Sequence, residues 1–282
     1  MNVRVRGFIR LIRPTYWLMT GGMSILTALV LQKGVFNLEV YLKIFISMAL
    51  IASGGFAIND YFDNKSDAIV KPDRPIPSGA ISPKQAIVTS AMLFFIGLVV
   101  AFLLNIICFE ILLVDTMLLI FYSAVLKKRS GFLSNILVGA LIGTSFLYGE
   151  AAVFNRISVA SFSVSLSSFG SIGGNVLRDI MSLNGDVKAG YPTLPQWIGR
   201  TSSAKIGAVL FLLSVLSSPL PYIVELVSFG YLFPIILWDG VLIYSVLSIF
   251  RKPDVSNMKK QERIVTMTMI LLPIALVAGA YT

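Results

Sequence analysis

Apolar runs of about 20 residues recur along this chain, and they leave it few possible folds. They fall at 14–32, 39–58, 84–106, 109–126, 132–152, 158–178, 203–222, 226–249 and 262–281. Each is long enough to cross the ~30 Å hydrocarbon core of a bilayer as a helix. In lipid the backbone polar groups must be satisfied internally, and a helix does this within one segment. Of the 282 residues, 56% are hydrophobic and 13% charged, where a soluble domain carries about 25% charged residues. The sequence predicts an all-α integral membrane protein. Nine transmembrane helices form one bundle with a central apolar cavity, and a single domain covers 1–282. The basic start (Arg4, Arg6, Arg10, Arg13) leads into apolar sequence from Tyr16 without a small-residue cleavage site, so it reads as a retained first span.

The charges orient the bundle. With the N-terminus in the cytoplasm, 20 of the 23 Lys and Arg residues fall on that side, and only Lys33, Lys43 and Arg156 fall outside. This bias predicts an N-in, C-out topology in the cell membrane. It also explains the net charge of +9 without a nucleic-acid partner. The single cysteine, Cys108, excludes an intrachain disulfide, and the absence of histidine excludes imidazole chemistry and His-ligated metals. A metal here sits on oxygens, which favours magnesium, calcium or manganese.

Two acidic stretches end apolar runs on the predicted cytoplasmic face. Asn59, Asp63 and Asp67 are spaced i, i+4, i+8 and span about 80° of a helix surface. Asp179 and Asp186, seven apart, share a face. A Pro/Gly-rich loop follows each, Lys71–Gly79 and Lys188–Pro195, as in a weak internal repeat of about four spans. Clustered carboxylates repel one another unless a cation intervenes. Magnesium typically takes one or two carboxylates plus substrate phosphates. With Arg13, Arg74, Lys127, Lys128, Arg129, Arg178 and Lys188 on the same side, the set suits a diphosphate. The bundle would hold what the diphosphate carries, most simply an isoprenoid chain. The competing readings are solvated helix ends, or a transporter with Asp-lined ion sites.

The residues Asn59-x-x-x-Asp63-x-x-x-Asp67, Arg74-Pro75-Ile76-Pro77-Ser78-Gly79, and Gly185-Asp186 with Thr193-Leu194-Pro195 resemble the UbiA superfamily of intramembrane prenyltransferases. Arg13-Pro14, and Tyr122 with Lys127-Lys128, are similar to other family signatures. The resemblance covers essentially the whole chain. It implies Mg²⁺ on Asn59, Asp63 and Asp67, and a second Mg²⁺ on Asp179 and Asp186. It implies diphosphate contacts from Arg13, Arg74, Lys127 and Lys128, with Tyr122 beside the reacting carbon and Asp63, Asp67 and Asp186 as catalytic carboxylates. Ser182 stands where the family commonly has a further carboxylate.

Within the family the two loops are most similar to archaeal digeranylgeranylglyceryl phosphate synthases. The implied reaction transfers a prenyl group from prenyl diphosphate, geranylgeranyl diphosphate above all, to a lipid acceptor such as geranylgeranylglyceryl phosphate. The alternative acceptor is an aromatic one of the 4-hydroxybenzoate type, and a third reading is a binding-only relative weakened at Ser182. Outside the motifs, Asp239 is expected to find a partner on a neighbouring helix or to be protonated. Asp115 and Glu150 are expected to snorkel outward. Gly54, Gly55, Gly170, Gly173 and Gly174 are expected to serve close helix packing, which would also let the two motif-bearing helices approach.

Overall fold

The structure is a computed structural model and describes residues 3–33 and 37–281. Its regular elements are helices: α1 (Val3–Ile12), α2 (Pro14–Leu31), α3 (Leu38–Val70), α4 (Pro83–Phe102), α5 (Ile106–Phe121), α6 (Lys127–Arg129), α7 (Gly131–Phe154), α8 (Val159–Ser165), α9 (Ser168–Ala189), α10 (Leu194–Ser217), α11 (Leu220–Ile223), α12 (Leu232–Arg251), α13 (Val255–Thr268) and α14 (Leu271–Tyr281). A π turn, Tyr122–Leu126, joins α5 to α6, and a short 3-10 turn, Phe229–Tyr231, precedes α12. Among the described residues, eight helical stretches are long and apolar enough to cross a membrane. The chain is an all-helical, multi-pass membrane protein. Phe95, Leu216 and Phe233 lie exposed on its flanks, as lipid-facing side chains do.

Two large apolar clusters and two smaller ones fill the bundle. Of the large pair, one gathers Ile44, Ile51, Phe94, Leu112 and Tyr148; the other gathers Leu177, Phe211, Tyr231, Trp238, Leu242 and Leu276. The first half of the chain thus builds mainly one cluster and the second half the other.

α3 reaches well past its apolar part. Its 33 residues measure about 50 Å at ~1.5 Å per residue, more than a bilayer core requires. The acidic stretch therefore stands on a helical extension of the span. The segment 158–178 divides differently from the expectation. The chain breaks at Leu166–Ser167 between α8 and α9, with i→i+3 hydrogen bonds from Ser167 to Val164, Phe169 to Leu166 and Gly170 to Ser167. Ser165, Ser167 and Ser168 crowd this point, and serine hydroxyls compete with the helical ladder. α9, which carries the second acidic stretch, is not among the eight apolar stretches.

Three expectations are corrected. Asp115 does not snorkel: it is buried and accepts a hydrogen bond from Thr144 Oγ1 at 2.8 Å. Glu150 is also buried, and it accepts from Ser158 N (2.9 Å) and Ser161 Oγ at the start of α8. The glycines do not bring α3 and α9 together. A Cβ on Gly54 would meet Phe94 of α4 at 2.7 Å, and one on Gly173 would meet the Gly207 carbonyl of α10 at 2.8 Å. Each motif helix uses its small residues to seat the helix that follows its own loop. Asp239 has its partner, accepting from Ser218 Oγ at 2.6 Å.

Candidate active site

The site is assembled at the C-terminal end of α3, from four stretches of chain that converge on its acidic face. Asp60, Asp63 and Asp67 are all buried there. Their spacing, i, i+3, i+7, places them on one side of the helix.

Arg13 comes from the junction of α1 and α2. Pro14 disfavours a helical residue before it, and Arg13 takes the left-handed conformation at φ 48. The turn aims its guanidinium at Asp60 Oδ1, to which it donates a hydrogen bond. The same guanidinium stacks 4.8 Å from the Phe56 ring centroid.

Arg74 comes from the loop after α3. That loop is a compact plug with internal bonds from Ser78 N to Arg74 O (3.0 Å) and Ile81 N to Pro75 O (3.0 Å). Ile76 and Ile81 bury themselves against Leu11 and Ala57. With its backbone anchored, Arg74 Nη1 donates to both Asp60 Oδ1 and Asp67 Oδ2, each at 2.9 Å.

Lys127 comes from the far end of α5. On a regular helix Tyr122 and Lys127, five apart, would lie roughly 140° apart. The π turn brings them into line, with the Lys127 N–H bonded to the Tyr122 carbonyl. Lys127 Nζ then donates to Asp63 Oδ2 at 2.5 Å, and Asn59 Nδ2 donates to the same oxygen at 2.9 Å. Tyr122 lies half-buried within electrostatic range of Lys127, Asp63, Asp179 and Arg13.

Tyr191 reaches in from the loop after α9. Its hydroxyl donates to Asp63 Oδ1 at 2.5 Å and lies 2.6 Å from Ser66 Oγ. Lys127 Nζ stands 4.6 Å above its ring. Burial, then the bond to Asp63, pushes the phenol's pKa up, so it remains a donor at neutral pH.

The second stretch is looser. Asp179 accepts from Asn135 Nδ2 at 2.7 Å. Ser182 donates to Asp186 Oδ2 at 2.5 Å, its oxygen also lying 3.0 Å from the Arg178 carbonyl. Arg178 itself turns away to Glu262 at 2.7 Å. Lys128 stays exposed and joins no carboxylate, its Nζ lying 5.7 Å from the Phe62 centroid.

The first stripe, Arg13, Arg74 and Lys127 thus come together, while Asp179 and Asp186 stand on α9 beside them. Sequence reasoning missed Asp60, Tyr191, Ser66 and Asn135. The signal for Asp60 was available, because it is in phase with Asp63 and Asp67. The partnership of Tyr191 with Asp63 joins residues 128 apart in sequence, and no local period could announce it.

Among the described residues, no three or more His, Cys, Asp or Glu side chains already converge as a metal cage. The donor chemistry nevertheless fits a hard divalent cation. Every candidate ligand is an oxygen, and Asn59 Oδ1 and Asp60 Oδ2 are buried without a hydrogen-bond partner. A magnesium site completed by substrate phosphates needs few protein ligands.

Comparison with known proteins agrees with this geometry. Residues 21–272 match the model of the UbiA prenyltransferase family. Over 234 residues, the chain is 36% identical to the digeranylgeranylglyceryl phosphate synthase of Natronomonas pharaonis, covering 83% of each chain. A solved digeranylgeranylglyceryl phosphate synthase superposes with a TM-score of 0.86 at 28% identity, covering 99% of both chains. The fold also matches a UbiA homolog from Archaeoglobus fulgidus bound to GPP and Mg²⁺, with a TM-score of 0.70 at 17% identity over 97% of this chain and 98% of that one. With its buried acidic face, its converging cations and a family match over most of its length, this chain belongs to the UbiA prenyltransferase family.

Proposed function

We propose that this protein transfers the geranylgeranyl group of geranylgeranyl diphosphate to geranylgeranylglyceryl phosphate, releasing diphosphate. The convergence of Arg13, Arg74 and Lys127 on the buried carboxylates of α3 carries this reading. The similarity to digeranylgeranylglyceryl phosphate synthases supports the acceptor. One prenyltransferase domain occupies the chain. Nine helices cross the cell membrane, N-in and C-out, with α9 as the ninth crossing and the site facing the cytoplasm.

Asn59, Asp63 and Asp67 would hold one Mg²⁺, and Asp179 with Asp186 a second. The bound ions supply Lewis acidity that draws charge from the departing diphosphate. Arg13, Arg74 and Lys127 leave their carboxylates and bind diphosphate oxygens, as charge-assisted donors do. The C1–O bond of the allylic diphosphate breaks with its electron pair going to the leaving group. The acceptor hydroxyl oxygen then bonds to C1 and passes its proton to the released diphosphate. Tyr122 faces the cationic carbon with its ring. The Arg74 loop and Tyr191 keep water from that carbon.

The test is a competition. Purified protein, Mg²⁺ and geranylgeranyl diphosphate are offered geranylgeranylglyceryl phosphate and 4-hydroxybenzoate together, and products are read by mass spectrometry. The expected product is the digeranylgeranyl lipid, with diphosphate release abolished by chelator and by Asp63→Ala. Turnover without metal, or prenylated 4-hydroxybenzoate alone, would overturn the proposal.

A further inference from the structure

Beside the site, on the far side of Tyr191, lies an open cleft of about 360 Å³. Phe62, Lys65, Ser66, Ile69, Lys128 and Tyr191 line it. Its two lysines differ from the three cations that converge on α3. Arg13, Arg74 and Lys127 are each committed to a carboxylate. Among the described residues, neither Lys65 nor Lys128 has an acidic partner, and both are exposed. Two ammonium groups without an acidic partner form a pair of donors suited to an anion, while the Tyr191 and Ser66 hydroxyls beside them already donate to Asp63.

The same cleft has an apolar side. Ile69 is 66% exposed, and the Phe62 ring lines the cleft with it. An anion with a greasy tail fits both surfaces. The shared wall joins cleft to site: the Tyr191 hydroxyl touches Ser66 Oγ and Asp63 Oδ1 together. A headgroup held at the lysines is therefore one side chain away from Asp63. In a glyceryl phosphate only a short carbon backbone separates the phosphate from the free hydroxyl.

We propose that this cleft is the acceptor subsite, in which Lys65 and Lys128 bind the phosphate of the glyceryl phosphate lipid while Tyr191 and Ser66 direct its hydroxyl toward the site. This rests on the transfer reaction proposed above and assigns Lys128 to the acceptor rather than to the donor diphosphate. The cleft would then set specificity, because an acceptor without a phosphate leaves both ammonium groups unanswered.

The experiment measures binding and turnover separately. Equilibrium binding to geranylgeranylglyceryl phosphate is compared with binding to geranylgeranylglycerol and phosphatidylglycerol, with no diphosphate present. Lys65→Gln together with Lys128→Gln is expected to weaken binding of the phosphorylated acceptor at least tenfold and that of geranylgeranylglycerol by less than twofold. Lys128→Arg, which keeps the charge, is expected to retain most of the affinity. In turnover the double variant raises the acceptor KM at least tenfold and moves the KM for geranylgeranyl diphosphate by less than twofold.

A rise in the diphosphate KM would return the lysines to the donor. Equal loss for phosphatidylglycerol would make the cleft a general headgroup site. Either result overturns the proposal. Lysine-dependent acceptor binding without product would sink the transfer reaction and leave the subsite standing. Product formation unaffected by the double variant would do the reverse.

Discussion

At the residue scale, Asp60 holds two arginines with one carboxylate. Its Oδ1 accepts from Arg13 and from Arg74, and it is 2% exposed. Removing one partner from a buried ion pair strands the other charge and costs about 3–5 kcal/mol. Asp60→Ala is therefore expected to lower the thermal midpoint in detergent clearly and to raise the KM for prenyl diphosphate about tenfold, since Arg13 loses its carboxylate and Arg74 is left with Asp67 alone. An unchanged KM would mean that the loop and the Arg13 turn position them alone. Tyr191→Phe is a milder change that deletes one hydrogen bond to a carboxylate, worth about 1.5–3 kcal/mol. It should reduce kcat roughly 10- to 100-fold with a modest fall in the thermal midpoint, because the bond orients Asp63. These two residues mark what the sequence could and could not say. Asp60 was readable from its i+3 and i+7 relation to Asp63 and Asp67, but a stripe anchored on Asn59 passes over it. Tyr191 depends on how α9 packs beside α3, which is a tertiary fact. The serine at 182 was legible as a missing carboxylate. Its engagement with Asp186 was not, and that bond holds the hydroxyl as a donor rather than a free ligand.

At the element scale, the π turn at Tyr122–Leu126 determines which way Lys127 points. Such turns carry one residue more than the α-helical pitch and are frequent at functional sites. Inserting one alanine after Ala124 would rotate Lys127 by about 100° away from Asp63. We expect helix content by circular dichroism to stay within a few per cent, on the order of one turn of change, while diphosphate release falls at least about 100-fold, a loss of ~2.7 kcal/mol in transition-state binding. Full activity in the insertion variant would show that Lys127 reaches the site by another route. The turn was not legible beforehand, because Tyr-x-x-x-x-Lys has no period of its own and Leu-rich sequence runs through it unbroken. The Pro-rich loop after α3 was legible as an element but not in character. Its prolines marked a loop, and Ile76 and Ile81 make that loop a buried plug against Leu11 of α1.

At the scale of the whole molecule, hydropathy located the bundle because lipid imposes long apolar helices, and that requirement is written locally in every span. It failed where function interrupts the rule. α9 carries Asn175, Arg178, Asp179 and Asp186 on one helix, so the segment 158–178 took its apolar character from α8 and only half of α9. A crossing that includes α9 is also what N-in, C-out requires, since eight crossings would return both termini to one face. The count and the orientation are therefore one question, and impermeant labelling answers it. In a Cys108→Ala background, the parent thiol is removed from its buried position. Asp73→Cys, in the loop between α3 and α4, and Arg156→Cys, between α7 and α8, then place one exposed thiol each. Two apolar stretches beyond α3, α4 and the α5–α6 segment, carry the chain from the first position before α7 brings it to the second. Three crossings separate the two positions, so they must lie on opposite faces. Only Asp73→Cys should react from the cytoplasmic side of inside-out vesicles, and only Arg156→Cys from the outside of intact cells. A third thiol at Glu225→Cys, in the turn after α11, resolves the ninth crossing. It reacts with Arg156→Cys if α8 and α9 together cross the membrane, and with Asp73→Cys if they only re-enter it.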